Sequence, residues 1–283
     1  MSHAWWLVRR ELWENRSLYL GPLAVAVVAL AGFTVALARL PRTLGALGAD
    51  AGALREAIQQ PYVVSALILM LVEMIVAFVY CLDTLYGDRR DRSVLFWKSL
   101  PVSDSATVIA KASIPILLLP LLTFAVTMIT QALMLLASSA VLAASGMEVG
   151  LLWANVPLLD LAGINLGHLV MFHGLWWAPL YAWLLLVSAW ATRVPFVWAI
   201  LPPVALALAE RVAFNTTRFA TLLQDHFLGG PVTSNANAGM TMDMLAPHPL
   251  MHYVTSPGLW VGGLVTAAML AAAVRLRRAR PAI

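Results

Sequence analysis

The chain has 283 residues, of which 61% are hydrophobic and 11% charged, and its net charge is +4. A soluble domain carries about 25% charged residues, so the composition excludes an ordinary soluble protein and indicates an all-α integral membrane protein. The single cysteine, Cys81, excludes an intrachain disulfide, and the positive charges gather at the ends of apolar runs, a mark of membrane orientation rather than of nucleic-acid binding.

Taken in order, His3 to Leu18 carries Trp5, Trp6 and Trp13 among Arg9, Arg10 and Arg16. Tryptophan with arginine suits the headgroup layer, so this stretch (1–18) is expected to be a helix lying on the membrane. Leu20 to Ala38 is the first expected span. Ala36-Leu37-Ala38 resembles a signal-peptidase site, but the uncharged run exceeds the apolar core of a signal peptide and Glu11 and Glu14 precede it, so a retained span is expected. A polar excursion, Arg39 to Pro61, leads to a second span, Tyr62 to Leu85, interrupted by one carboxylate, Glu73.

Next comes a charged segment, 86–111, which cannot lie in hydrocarbon because each Arg or Asp there costs roughly 2.5–3.5 kcal/mol. Asp88 to Ser99 can form one helix, ended by Leu100-Pro101, because a residue before proline avoids the helical region. Ser103 or Asp104 then caps a second helix running through Lys111 into the third span. Val94, Leu95, Phe96 and Trp97 are too apolar to stand uncovered in water, since burying each is worth roughly 1.5–3 kcal/mol. The alternatives are a basic helix resting on lipid or a docking element; Asp88, Asp91 and Asp104 weaken lipid attraction and favour docking.

Ala112 to Ala144, with Pro115 and Pro120, is expected to be a tilted or kinked third span. Gly146 to Phe172 is broken by Asn155, Pro157, Asp160, Asn165 and Gly167, and is expected to be an interfacial or partly re-entrant connection. His173 to Thr192 is the expected fourth span, and His168 and His173 are expected at an interface. Pro195 to Ala213 is the fifth and Pro257 to Val274 the sixth, with a long polar, extracytoplasmic connection (213–256) between them.

A cytoplasmic N-terminus places thirteen of the 18 lysines and arginines inside and five outside, so both termini and the charged segment are expected on the cytoplasmic side. In the middle of the second span, Glu73 must face protein or water. Thr123, Thr127, Thr130 and Gln131 share one face of the third span, and Gln131 and Thr127 are expected to offer hydrogen bonds to Glu73 or to share a path with it. In the last span Gly258, Gly262, Gly263 and Ala267 form a small-residue stripe suited to close helix packing.

No phosphate-binding loop exists, because Lys98 and Lys111 follow Trp97 and Ala110 rather than glycine. Neither a His-Glu-x-x-His pair nor a Gly-x-Ser-x-Gly elbow is found, so intramembrane proteolysis is not expected. His248 and His252 are four apart, but Pro249 and the lack of a third ligand speak against a metal site.

The run Tyr86-Gly87-Asp88-Arg89-Arg90-Asp91-Arg92-Ser93, then Phe96-Trp97-Lys98-Ser99-Leu100-Pro101-Val102-Ser103 and Lys111, resembles the loop between the second and third spans of exporter-type ABC transporter permeases of the ABC-2 type. The six-span layout and the N-terminal elbow helix are similar too. The resemblance implies that the loop is a coupling helix docking on a separate ATPase subunit, through Arg92, Val94, Leu95, Phe96, Trp97 and Lys98. It implies that ATP and Mg are bound by that partner, with no cofactor in this chain, and that a second permease subunit completes a transporter in the bacterial inner membrane. Two alternatives stand beside it: a non-transporting scaffold or sensor subunit, and an ion-coupled secondary transporter with Glu73 as its ion-coupling carboxylate.

Overall fold

The computed structural model describes residues 3–47, 50–91, 103–228 and 254–279. Among them there is no strand, and six helical stretches are long and apolar enough to cross a membrane. Their outward faces are apolar as well: Val28, Ile75, Ile129, Leu136, Val212 and Leu264 are all exposed. An apolar exterior of this extent is out of place in water and suits hydrocarbon, so this is an all-α, multi-pass membrane protein.

Helix α1 (His3–Glu14) buries Leu7 and Glu11 and leaves Trp6 and Trp13 exposed, with the Arg9 guanidinium over both rings. Helix α2 (Ser17–Leu37) is the first crossing. The polar excursion after it is helical: α3 (Leu40–Leu47) packs on the start of α4 (Ala51–Arg90). Asp50 caps α4, its Oδ1 accepting from the amides of Gly52 and Ala53 at 3.0 and 3.1 Å. At 40 residues α4 is about 60 Å long, twice the hydrocarbon thickness, so the second crossing projects from the bilayer. Asp88 and Arg89 therefore belong to the crossing helix itself and not to a separate loop helix beginning at Asp88. Both are buried there by partners on other helices.

The third crossing runs unbroken from α5 (Asp104–Ser113) through a π-helical turn (Ile114–Leu118) into α6 (Leu119–Ala144). Ser103 caps it, its hydroxyl accepting from the Ala106 amide at 3.1 Å. Pro115 and Pro120 are accommodated by the π turn, since Pro120 has no N–H to offer the Ile116 carbonyl four residues back.

The next stretch departs from the expectation. Helix α7 (Gly150–Asn155) is short, and Pro157 then opens α8 (Leu158–Gly167), which passes directly into a second π segment (His168–Trp176) and α9 (Ala178–Trp190). Leu161 packs with Leu44, Leu142 and Leu152 at one end of the bundle, while Leu185 and Val187 pack with Leu85 and Val108 at the other. Leu158 to Trp190 is thus one crossing, and Leu158–Phe172 is part of it rather than an interfacial connection. The polar residues that break the apolar pattern are used inside: Asn165 is buried and donates from Nδ2 to Gln131 Oε1 at 3.0 Å.

A tight turn at Ala191–Val194, with Val194 at φ +45°, leads to α10 (Pro195–Phe214). Glu210 then caps α11 (Arg218–Leu228), accepting from the amides of Arg218 and Phe219 at 2.8 Å each. Helix α11 lies in the expected polar connection but folds back onto the bundle, where the Trp176 indole donates to the His226 carbonyl at 2.7 Å. The last crossing, α12 (Pro257–Ala279), packs mainly along α9.

Candidate functional site

Two buried polar centres stand out. The first is at the end of the bundle where α4 stops and α5 begins. Residues 92–102 join these two helices in the chain. Lys111, 2% exposed, extends from α5 to Glu11 Oε1 of α1 at 3.0 Å, Thr84 Oγ1 at 2.8 Å and Asp88 Oδ1 at 3.4 Å. Arg277 of α12 contacts Asp88 Oδ2 through Nη1 at 2.9 Å and Asp104 Oδ1 through Nε at 3.1 Å. Tyr80 completes the network by donating its hydroxyl to Glu11 Oε2 at 2.9 Å. A buried charge is tolerated only when paired and hydrogen-bonded, and each carboxylate here has at least one cation.

One consequence is geometric. Asp88 lies just before the 92–102 segment and Asp104 just after it, and a single guanidinium holds both. The fork of Arg277 therefore fixes the two feet of that segment to each other and to the last crossing.

Beside this network, Arg89 Nη2 donates to the carbonyls of Ser188 and Ala191 at 2.8 and 2.6 Å, satisfying the end of α9 and bracing the strained turn before Val194. The Ser188 hydroxyl accepts from the α4 amides of Leu85 and Tyr86 at 3.1 and 2.9 Å. The last turns of α4 are thus tied to α1, α5, α9 and α12.

The second centre is in the middle of the bundle. Glu73 is fully buried, and its Oε2 is 3.0 Å from Nδ1 of His173 in the second π segment. The His173 ring stacks on Trp177 (centroids 5.1 Å apart, interplanar angle 25°) and is 5.5 Å from the His168 ring. At this level the third and fourth crossings touch backbone to backbone. A Cβ added to Gly174 would collide with the Ile116 carbonyl oxygen, so only glycine permits the contact between the two π segments.

Thr123, Thr127, Thr130 and Gln131 are all buried on the inward face of α6, the face the sequence pattern assigns. Their hydrogen bonds go elsewhere than to Glu73. Gln131 Nε2 donates to the Tyr62 carbonyl at 3.1 Å, and Thr130 Oγ1 donates back to Val126 O at 2.8 Å. The Thr127 hydroxyl, with that of Thr123, has no hydrogen-bond partner among the described residues. The Gln131–Tyr62 bond sets the antiparallel register of α6 and α4. In that register Thr123 is within about 5 Å of Glu73 in height, at 1.5 Å per residue. The partner of Glu73 is not legible in the sequence, where His173 falls at the start of an expected span and so at an interface.

Of the last-span stripe, Gly258 lies against Trp176 and Gly262 against Pro179, where added Cβ atoms would stand 3.1 Å from each. Gly263 has nothing within 4 Å and Ala267 is exposed, so these two face outward. Arg92, Val94, Leu95, Phe96, Trp97 and Lys98 lie outside the described residues, as do His248 and His252. No cluster of three or more His, Cys, Asp or Glu able to hold a metal occurs among the described residues.

Comparison with protein-family models, with curated proteins and with solved structures finds no match to this chain.

Proposed function

We propose that this chain is the membrane-spanning permease subunit of an ATP-driven exporter of the ABC-2 type, working with a separate ATPase and a second permease subunit in the bacterial inner membrane. ATP and Mg belong to the ATPase, and the chain itself makes and breaks no bonds. The 92–102 segment is the coupling element, with Val94, Leu95, Phe96 and Trp97 presenting the apolar contact and Arg92 and Lys98 flanking it. Both termini and this segment are on the cytoplasmic side, where the basic residues concentrate.

The observation that supports this reading most is the grip of Arg277 on both Asp88 and Asp104. A segment that passes on force must be rigid at its base. Here the base is a buried ion-pair network rooted in the N-terminal helix and in the second, third and sixth crossings. Displacing the segment displaces those helices together, which is the rigid-body movement that alternating access requires.

Truncating Phe96 and Trp97 to alanine removes the aromatic anchors of the contact, each of the kind that costs about 2 kcal/mol or more at a binding interface. The expected result is a protein that inserts normally but no longer brings down its ATPase on affinity purification from membranes. A double variant that retains the ATPase at the wild-type ratio contradicts the assignment.

A further inference from the structure

We propose that Glu73 and His173 form a reversible proton-binding site inside the membrane-spanning bundle. The pair joins two crossings at 3.0 Å, with Glu73 fully buried and His173 at 6% exposure. What distinguishes it from the Lys111–Arg277 network is the nature of its cation. Lysine and arginine hold their charge at any physiological pH, whereas an imidazole is positive only while it keeps a proton.

Among the described residues, the groups around the pair supply no other charge to balance it. The fourth crossing contributes His168 and Tyr181, and α4 contributes Cys81 on the same buried stripe. The third crossing offers the hydroxyl of Thr123 at nearly the same height. Between Pro257 and Val274 the last crossing carries no titratable side chain, and in α2 the only one is Tyr19, near its start. The nearest charged residues along α4 are Asp83, ten residues away, and Glu56, seventeen away in the other direction.

The charge of the site therefore follows its proton count. With one proton the pair is neutral, whether the proton is on Nδ1 or on Oε2. Taking up a second from the aqueous phase gives a carboxylic acid beside an imidazolium and a net positive charge. Losing the first leaves a carboxylate beside a neutral imidazole and a net negative charge. Either change places an unbalanced charge in a dry interior, which favours any arrangement that admits water or separates the two groups.

The fold provides such an arrangement. His173 is carried on a π segment, and a π segment that closes to α-helix shifts register by one residue, turning the side chain by about 100°. This would swing the imidazole away from Glu73. The Gly174–Ile116 crossing next to it makes the third crossing feel the same movement. Both members of the pair belong to this chain, and it binds its proton whether or not an ATPase drives the bundle.

Trp177 is a built-in reporter, because an imidazolium stacked on an indole quenches its fluorescence more than a neutral imidazole does. The full-length protein in lipid nanodiscs is titrated between about pH 8 and 5, and the Trp177 contribution is isolated by subtracting the Trp177→Phe variant. The expected result is a reversible quench on acidification that is lost in His173→Gln. In Glu73→Gln the transition should change as well, because a carboxylate partner is removed. A Trp177 signal that stays flat over this range, or a transition unchanged in both variants, overturns the proposal. Should a variant fail to fold, infrared difference spectra of the wild type over the same range decide. They are expected to show either a carboxylic-acid carbonyl band or imidazolium ring bands gained on acidification, and the absence of both overturns the proposal.

Discussion

Lys111 stands in a cage made by Glu11, Thr84 and Asp88, with almost no contact with solvent. Removing one partner of such a cluster costs about 3–5 kcal/mol, because the remaining charges are left buried and unpaired. Lys111→Met should therefore lower the unfolding midpoint in detergent sharply, and the double variant Glu11→Gln/Lys111→Met should recover much of the loss. A single variant as stable as the wild type would mean that the cage opens to water. Glu73 was legible in the sequence as a carboxylate in mid-span that must face protein. Its partner was not, because imidazole is weakly polar and common at interfaces, and nothing in the spacing of residues 100 apart links Glu73 to His173. Lys111 and Asp88 were legible as charges of the loop but not as buried ones. Burial depends on Glu11 and Arg277, which are remote in sequence.

At the scale of elements, the prolines of the third crossing announce a distortion, and the structure resolves it as a π turn facing a second π segment. The contact between them allows no side chain at residue 174. Gly174→Ala must push the two crossings apart, since the Ile116 carbonyl belongs to a backbone that cannot rotate away. A destabilisation of about 1–3 kcal/mol is expected, in the range of other overpacked sites, measured by thermal unfolding. Gly262→Leu should act similarly where α12 meets Pro179, whereas Gly263→Leu should be tolerated because that position opens outward. Equal effects of the two leucine substitutions would show that the outward face is also packed. The stripe of small residues was readable from spacing alone, but which of its members face the bundle depends on where α9 lies. The reading of 146–172 failed for a related reason. Asn165 looks foreign to a span until Gln131 is seen to satisfy it, and a pairwise hydrogen bond between helices leaves no periodic trace in sequence.

Across the whole molecule, the apolar runs predict six crossings, and six stretches among the described residues have the required length and character, the fourth of them earlier in the chain than expected. Boundaries were less legible, because α4 and the third crossing continue well beyond their apolar cores. Where α4 ends and the third crossing begins, ion pairs add to the apolar burial that stabilises them. The same ion pairs carry the proposed role. In that account the 92–102 segment is gripped at both feet, reaches the cytoplasmic side, and delivers the movement of an ATPase to the crossings. Site-specific photocrosslinking from position 97 in intact cells tests this most directly. A photoreactive residue in place of Trp97 should give one dominant product with an ATP-binding protein, and the yield should change when ATP is depleted. Crosslinks to lipid alone, or to no ATP-binding protein, would contradict it.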